Sequence, residues 1–438
     1  MLYRKIKDKI SKFYEDNPKK VLIVDGARQV GKTFIIRQVA AEKFKNFIEI
    51  NMLEDKLLRK EFANVKSVED FYIRVSSIAG EKMEASSDTL IFIDEIQEYP
   101  ELITLLKFLN DDGKYRFIAS GSLLGIALSN ITSIPIGTIE IMQMYPLDFE
   151  EFMMANAVGV DYIDFIKDKI LKRESLEEVD HNKVLDLFKK YLLVGGMPDV
   201  INSYLARKNI QEVRTIQNTI INLYKTDCSK YDRESRLKIQ RIYELIPSYM
   251  ENKKKRVILK TIENKSGKVS ADYQDEFEYL INSGIALEVK SISEPKFPLL
   301  QSTTKNLLKL YMNDVGLLTC LLYGNNISPI IENIESINLG SVYETVVATE
   351  LKAHEKTLYY FDSKKQGEVD FLVDDYNDLS VVPIEVKSGK NYYTHTAMTN
   401  LFEIKNYNIK FGYVLSNSRT ISTSGTIIYL PIYAIICL

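Results

Sequence analysis

The feature that most constrains this chain is an eight-residue stretch, Gly26-Ala27-Arg28-Gln29-Val30-Gly31-Lys32-Thr33, between two unlike neighbours. Before it, Val21-Leu22-Ile23-Val24 is a short apolar run closed by Asp25. After it, Phe34 opens FIIRQVAAEKF, whose apolar residues recur at helical spacing. Strand, G-x-x-x-x-G-K-[ST], helix is the order of a phosphate-binding P-loop. The chemistry explains the spacing. Glycines let the backbone curl so that its N–H groups surround phosphates, and the start of the helix adds positive potential. Residues Gly26 to Phe34 would then line a nucleotide. Lys32 would reach the β and γ phosphates, and the Thr33 hydroxyl would ligate magnesium. ATP and Mg2+ are the cofactors this arrangement calls for. The bland alternative is a glycine turn with an incidental lysine, and the flanking strand and helix weigh against it.

A P-loop needs a second acidic strand. Thr89-Leu-Ile-Phe-Ile-Asp-Glu95 is an apolar run ending in two carboxylates. Such a run fits a central parallel strand covered on both faces, with its acids at the carboxyl end where α/β sheets bind ligands. Asp94 is then the magnesium-side carboxylate, and Glu95 the base for an attacking water. A third run, Lys114 to Ser122, ends in polar residues. Ser120 or Ser122 could sense the γ-phosphate, or could simply cap the next helix.

Composition narrows the rest. The 438 residues exceed one ordinary core and suit two to four domains. Hydrophobic residues at 45% and charged residues at 27% are globular proportions. Lys and Arg total 57 against 60 acids, a net charge of -3, so any nucleic-acid contact needs a local basic patch. Cys228, Cys320 and Cys437, with His181, His354 and His395, are too few and too scattered for a disulfide framework or a zinc centre. The opening MLYRKIKDKI lacks the apolar core of a leader, and no run of about 18 apolar residues occurs. No membrane partner is expected, and the cytoplasm is the expected compartment.

The expected division is a nucleotide-binding domain over 1–150, a helical lid over 151–225, a winged-helix-like domain over 226–325 and a last domain over 326–438. Residues 145–225 carry helical periodicity throughout, with Gly195-Gly196 and Met197-Pro198 as a stop and turn. Residues 225–268 hold thirteen Lys/Arg against six Asp/Glu, including Lys253-Lys254-Lys255-Arg256. SADYQDEFEYLINSGIALEVKSI reads as a helix, a glycine stop at Gly284 and a strand, and FPLLQ and LLKLYMND supply two more short strands. Helices with a small hairpin outline a winged helix whose basic run could meet a DNA backbone. The run also reads as an ordinary solvated face.

The last domain carries a second constellation. A helix over GSVYETVVATELKAH includes Glu344. The strand GEVDFLV includes Asp370, and the strand PIEVKSG includes Glu385 and Lys387, two apart and so on one face. Carboxylates on adjacent strands could hold magnesium, with the lysine beside them acting on phosphate charge. E-x-K alone says little; a salt-bridged surface face, or a nuclease fold kept only for binding, remains open.

Taken together, GARQVGKT, LIFIDEIQ, ASGSLL, YPLDFEEF, YLLVGGMP, GSVYETVVATEL and GEVDFLV…PIEVKSG, spread over 26–389, resemble a family of bacterial and archaeal AAA-type P-loop ATPases. Those proteins carry an uncharacterised C-terminal domain with a PD-(D/E)xK nuclease-like fold. The resemblance implies an α/β architecture with Lys32 and Thr33 as Walker A, Asp94 and Glu95 as Walker B, and Ser120 as sensor. It also implies that Glu344, Asp370, Glu385 and Lys387 hold the nuclease-like positions. One departure is Gly137-Thr138, where such proteins often read G-R. ATP, DNA, a protein partner and an oligomer are the partners the reading allows.

Overall fold

A computed structural model of the chain describes all residues except 17–18, 54–61, 63–64, 84–87, 126–136, 228–232, 253–254, 333–336 and 390–391. Cys228, Lys253 and Lys254 therefore lie outside the described residues. The chain divides into two compact units, one made of Tyr3–Tyr145 with Asn282–Gly284, the other mainly of Pro146–Ile281 and Ile285–Leu438. Among the described residues no helix is long and apolar enough to cross a membrane.

In the Tyr3–Tyr145 unit, β1 (Val21–Asp25), β2 (Asn46–Asn51), β3 (Thr89–Asp94), β4 (Arg116–Gly121) and β5 (Ile139–Gln143) form one sheet in the order β2-β3-β4-β1-β5. Every pairing in it is parallel. β1 and β3 are buried at every position, which is why their sequences run apolar without alternation. Helices Lys32–Lys43, Val68–Ala79 and Glu101–Asp112 connect the strands. The last of these buries Leu102, Ile103, Leu105, Leu106 and Leu109, spaced along one face. The topology brings the carboxyl ends of β1, β3 and β4 side by side.

The second unit begins with the expected helices: Phe149–Ala155, Val160–Leu171, Glu178–Val194, Pro198–Arg207 and Ile210–Asp227. They belong to the same compact unit as the C-terminal sheet. Three stretches that carried the family resemblance meet here. Asp148 caps the first helix, accepting from the Glu151 N–H at 2.8 Å, while Glu151 accepts from the Asp148 N–H at 3.2 Å. Glu350, from the helix Gly340–Ala353, accepts from the Phe149 N–H at 2.8 Å and the Tyr191 hydroxyl at 3.0 Å. Gly195 ends the third helix at φ 74°, and a Cβ there would stand 2.2 Å from the Asp314 carboxylate. These motifs are a buried structural joint.

Asp314 holds that joint by accepting from the Gly196 N–H at 2.6 Å and the Leu317 N–H at 2.9 Å. Burial pushes its carboxyl up to about 6 against those donors. The native state then keeps a proton that an unfolded aspartate has lost between about pH 4 and 6. Stability from this group is thus full below the unfolded pKa and is lost as pH rises through 6, on the order of 3 kcal/mol in all. Urea unfolding of wild type and Asp314→Asn should show wild type losing about that much, relative to the variant, between pH 4 and 7. Parallel profiles would mean that the carboxyl titrates normally.

The rest of the unit is an eight-stranded mixed sheet. Its strands are β6 (Ala286–Ile292), β7 (Thr303–Met312), β8 (Tyr359–Ser363), β9 (Gly367–Asp375), β10 (Ser380–Lys387), β11 (Gly412–Ser416), β12 (Ser422–Ser424) and β13 (Ile427–Pro431), in the order β12-β13-β11-β10-β9-β8-β6-β7. Of the three strands expected here, the one after Gly284 is β6 and LLKLYMND lies in β7, and the two pair antiparallel. FPLLQ is not a strand: Leu299–Ser302 is a 3-10 turn. β6 also pairs in parallel with β8, so this hairpin is the edge of the C-terminal sheet. The boundary drawn between 325 and 326 runs between strands of that one sheet.

Candidate nucleotide site and carboxylate–lysine cluster

The loop after β1 is shaped by close approach. Gly26 sits at φ 154°, and a Cβ on it would lie 2.2 Å from the Met144 carbonyl oxygen, so only glycine fits. Gln29 and Gly31 also have positive φ, 68° and 96°, which curls the segment between Arg28 and Val30 back toward the helix. Gly31 occupies the N-cap and has no side chain to cap the helix's first N–H groups. Lys32 is buried, and its ammonium donates to the Gly26 and Ala27 carbonyls at 2.8 and 2.9 Å. Burial pulls its pKa down, while Glu95, Asp25 and Asp94 act against that. Phe34 stands 52% exposed in the first helical turn.

At the end of β3, Asp94 gathers the neighbouring hydroxyls. Thr33 donates to its Oδ2 at 2.9 Å, and Ser120 of β4 donates to its Oδ1. The Glu95 N–H donates to Oδ1 at 3.1 Å. Burial raises the Asp94 pKa. Ser120 therefore faces the acid and not a helix end; Ser122 instead receives the Gln97 amide at 3.5 Å. The Thr33 hydroxyl in the first helical turn and the Asp94 carboxylate at the tip of β3 form an oxygen donor set suited to magnesium. Glu95 takes a left-handed backbone, φ 55°, unusual for a side-chain-bearing residue and concentrated at functional sites. Gln97 donates to the Glu95 carboxylate.

Gln97 went unassigned in the sequence, as did Asp25, which accepts from Gln143 at 2.9 Å. The signal for Gln97 was its place two residues after Glu95 at a strand end. Gln143 had none, because β5 is an edge strand of mixed polarity. Of the arginines, Arg37 is committed to Glu49 through two contacts of 2.8 and 2.6 Å.

In the second unit, the E-x-K strand and its neighbours lie together at one sheet, with extra lysines beside them. Lys387 lies 3.1 Å from Glu385. Asp370 accepts from the Val386 N–H at 2.9 Å. Glu344 receives the Tyr311 hydroxyl at 3.1 Å and pairs with Lys255. Lys309, fully buried, pairs with Glu368 at 2.6 Å and lies 4.6 Å over the Tyr360 ring. Burial and the neighbouring Asp370 raise the Glu385 and Glu344 pKa values. Burial alone would lower Lys255, but Glu344 and Asp370 outweigh it and hold its charge.

Asp370 lies close enough to Glu344 and Glu385 to raise the pKa of both. Among the described residues no group of three or more His, Cys, Asp or Glu is arranged as a ready metal ligand set. As they stand, the buried carboxylates are compensated by lysines and a backbone N–H. One expectation is corrected here. Lys255, expected on a basic face, turns into this cluster instead. Lys255, Lys309 and Tyr311 were not legible as site residues, since each lies at least thirty residues before Glu344.

Comparison with known proteins follows the two units. Residues 18–153 match the family described as an AAA domain. Residues 185–328 and 339–435 match two domains of unknown function, DUF8612 and DUF4143. An uncharacterised protein of Methanocaldococcus jannaschii is 22% identical over 373 residues, covering 81% of this chain and 72% of that protein. A Walker-type ATPase of Pyrococcus abyssi is similar with a TM-score of 0.44 and 14% identity, covering 74% of this chain and 96% of the other. The Orc1 protein of Aeropyrum pernix, solved in complex with DNA, gives 0.30 and 12%, covering 76% and 94%. Residues 18–153 are an AAA-type P-loop domain, followed by a sheet-containing C-terminal domain.

Proposed function

We propose that the chain is an ATP-hydrolysing AAA-type protein whose nucleotide state controls a C-terminal nuclease-like unit acting on DNA. The observation that carries the ATPase part is the joining of Thr33, Ser120 and Asp94 beside Lys32. In this reading the curled loop and the uncapped helix start bind the phosphates. Lys32 exchanges two backbone carbonyls for phosphate oxygens. Thr33 and Asp94 hold magnesium, which supplies charge neutralisation on the phosphates when bound. Glu95, held by Gln97, takes the proton of the attacking water. Ser120 links Asp94 to the γ-phosphate position.

For the C-terminal unit, a PD-(D/E)xK-like assignment rests on the resemblance and on Asp370, Glu385 and Lys387 meeting at one sheet. The carboxylates as they stand are compensated by Lys255, Lys387 and the Val386 N–H. A second reading, a slow ATPase whose C-terminal unit only binds DNA or a protein, is favoured by that same lysine pairing.

The two readings separate in a cleavage assay on labelled DNA and RNA with magnesium or manganese, with and without ATP. Under the first, wild type cuts and Lys387→Ala loses at least about tenfold in rate, because a charge acting on the reacting phosphate is gone. Intact ATP turnover without any cutting establishes the second. In either case DNA affinity should fall steeply with salt if residues 225–268 meet phosphates. A flat salt response removes that contact.

A further inference from the structure

Beside the E-x-K strand lies a group of rings that the acid–lysine chemistry does not use. The segment after β10 carries Tyr392, Tyr393 and His395, and β13 carries Tyr429. The Tyr392 and Tyr393 ring centroids are 4.2 Å apart and inclined at 34°. Tyr393 is 5.3 Å from Tyr429, and His395 is 5.6 Å from Tyr429. The polar edges are tied down. The Tyr392 and Tyr393 hydroxyls are bonded at 2.8 Å, Tyr392 donates to Ser418 at 3.1 Å, and His395 Nε2 meets the Tyr429 hydroxyl at 2.6 Å.

Most of these rings have a structural duty. Tyr429 is buried against Met398, Val414 and Ile427, with Tyr392 packed on that cluster. Tyr393 has none; it is 62% exposed, a large ring held in place by its neighbours. Its position relative to the acids follows from strand register. Parallel pairing aligns Glu385 with Val414 and Val414 with Tyr429, so the three form one row on one face. Two strand spacings, roughly 10 Å, separate Glu385 from Tyr429. Lys387 lies one row further along the same face.

We propose that Tyr393, backed by Tyr392 and Tyr429, is a stacking platform for an unpaired base of single-stranded nucleic acid passing the Glu385–Lys387 strand. The inference rests on nucleic acid being the ligand of this unit and adds which form is recognised. An exposed ring face with its hydroxyl engaged sideways suits a flat π-ligand and reads no base edge, so sequence tolerance is expected. A duplex keeps its bases stacked internally and offers this ring nothing. The platform also supplies what the near-neutral chain lacks, a way to hold nucleic acid that does not depend on excess positive charge.

The test is fluorescence anisotropy of the full chain with labelled oligo-dT, oligo-U and a duplex of equal length at low salt. Tyr393→Ala should weaken single-strand binding roughly 5- to 150-fold, the range expected for losing one stacked base, and leave duplex binding within about twofold. Tyr393→Phe should restore single-strand affinity, because the ring and not the hydroxyl binds. Unchanged thermal unfolding of both variants checks the fold. Equal loss on single strand and duplex, or no loss on either, overturns the platform alone. A wild-type chain that binds no strand of any kind overturns both the platform and the nucleic-acid reading.

Discussion

Replacing Lys32 by alanine should lower ATP turnover by about 10²–10³-fold, the usual cost of removing one preorganised group from developing phosphate charge. The geometry makes this a test of chemistry rather than of folding. Among the described residues the Lys32 ammonium donates to the Gly26 and Ala27 carbonyls, within six residues of itself. The strand β1 that precedes the loop is buried at every position by an apolar run of its own. The loop should therefore stay folded while the cation on the phosphates is lost. Phosphate release under saturating ATP measures the first effect, and a fluorescent nucleotide titration measures the accompanying loss of affinity. Turnover at the wild-type rate would refute the P-loop assignment, whatever the sequence pattern says.

Changing Glu95 to glutamine should leave ATP bound but slow its cleavage by about 10²–10⁴-fold, the contribution of a positioned general base. The amide keeps the shape and the left-handed backbone position, and it removes only the capacity to accept a proton. Binding and turnover should thus separate, in contrast to Lys32→Ala, where both fall. Gln97→Ala should give a smaller loss in turnover with unchanged affinity, since it frees the Glu95 carboxylate without removing it. Normal hydrolysis by Glu95→Gln would take the base role away from Glu95 and leave Asp94 to be tested next. Single-turnover cleavage of bound ATP reads the difference directly.

Local sequence carried the nucleotide site because its parts are local. The P-loop needs one turn between one strand and one helix, all within about twenty residues. The two acids of β3 follow an apolar run that only a covered parallel strand explains. β2 and β5 are the edges of the sheet, and their short runs of mixed polarity resemble loops in sequence. Helices were legible through 145–225 because amphipathic spacing repeats in each. Their domain was not, because nothing in a periodic helix states which sheet it will cover. FPLLQ differs because it is apolar enough for a strand yet forms a 3-10 turn, while the strand after Gly284 pairs with β7.

The second cluster divides along the same line. Asp370, Glu385 and Lys387 were legible because a spacing of two fixes a shared face and neighbouring strands bring acids together. Lys255 and Lys309 were not, since their pairing with Glu344 and Glu368 spans 89 and 59 positions and depends on how the sheet closes. Sequence by itself determined the phosphate loop, its acidic strand and the presence of a second acid–lysine strand, because short-range backbone geometry dictates those residue types. Tertiary structure alone decided that Lys255 and Lys309, far away in the chain, compensate the C-terminal carboxylates, and that the Tyr393 ring stands exposed near them. Desolvation makes buried charges seek any partner the fold brings near, and that choice is written in contacts between residues far apart in the chain.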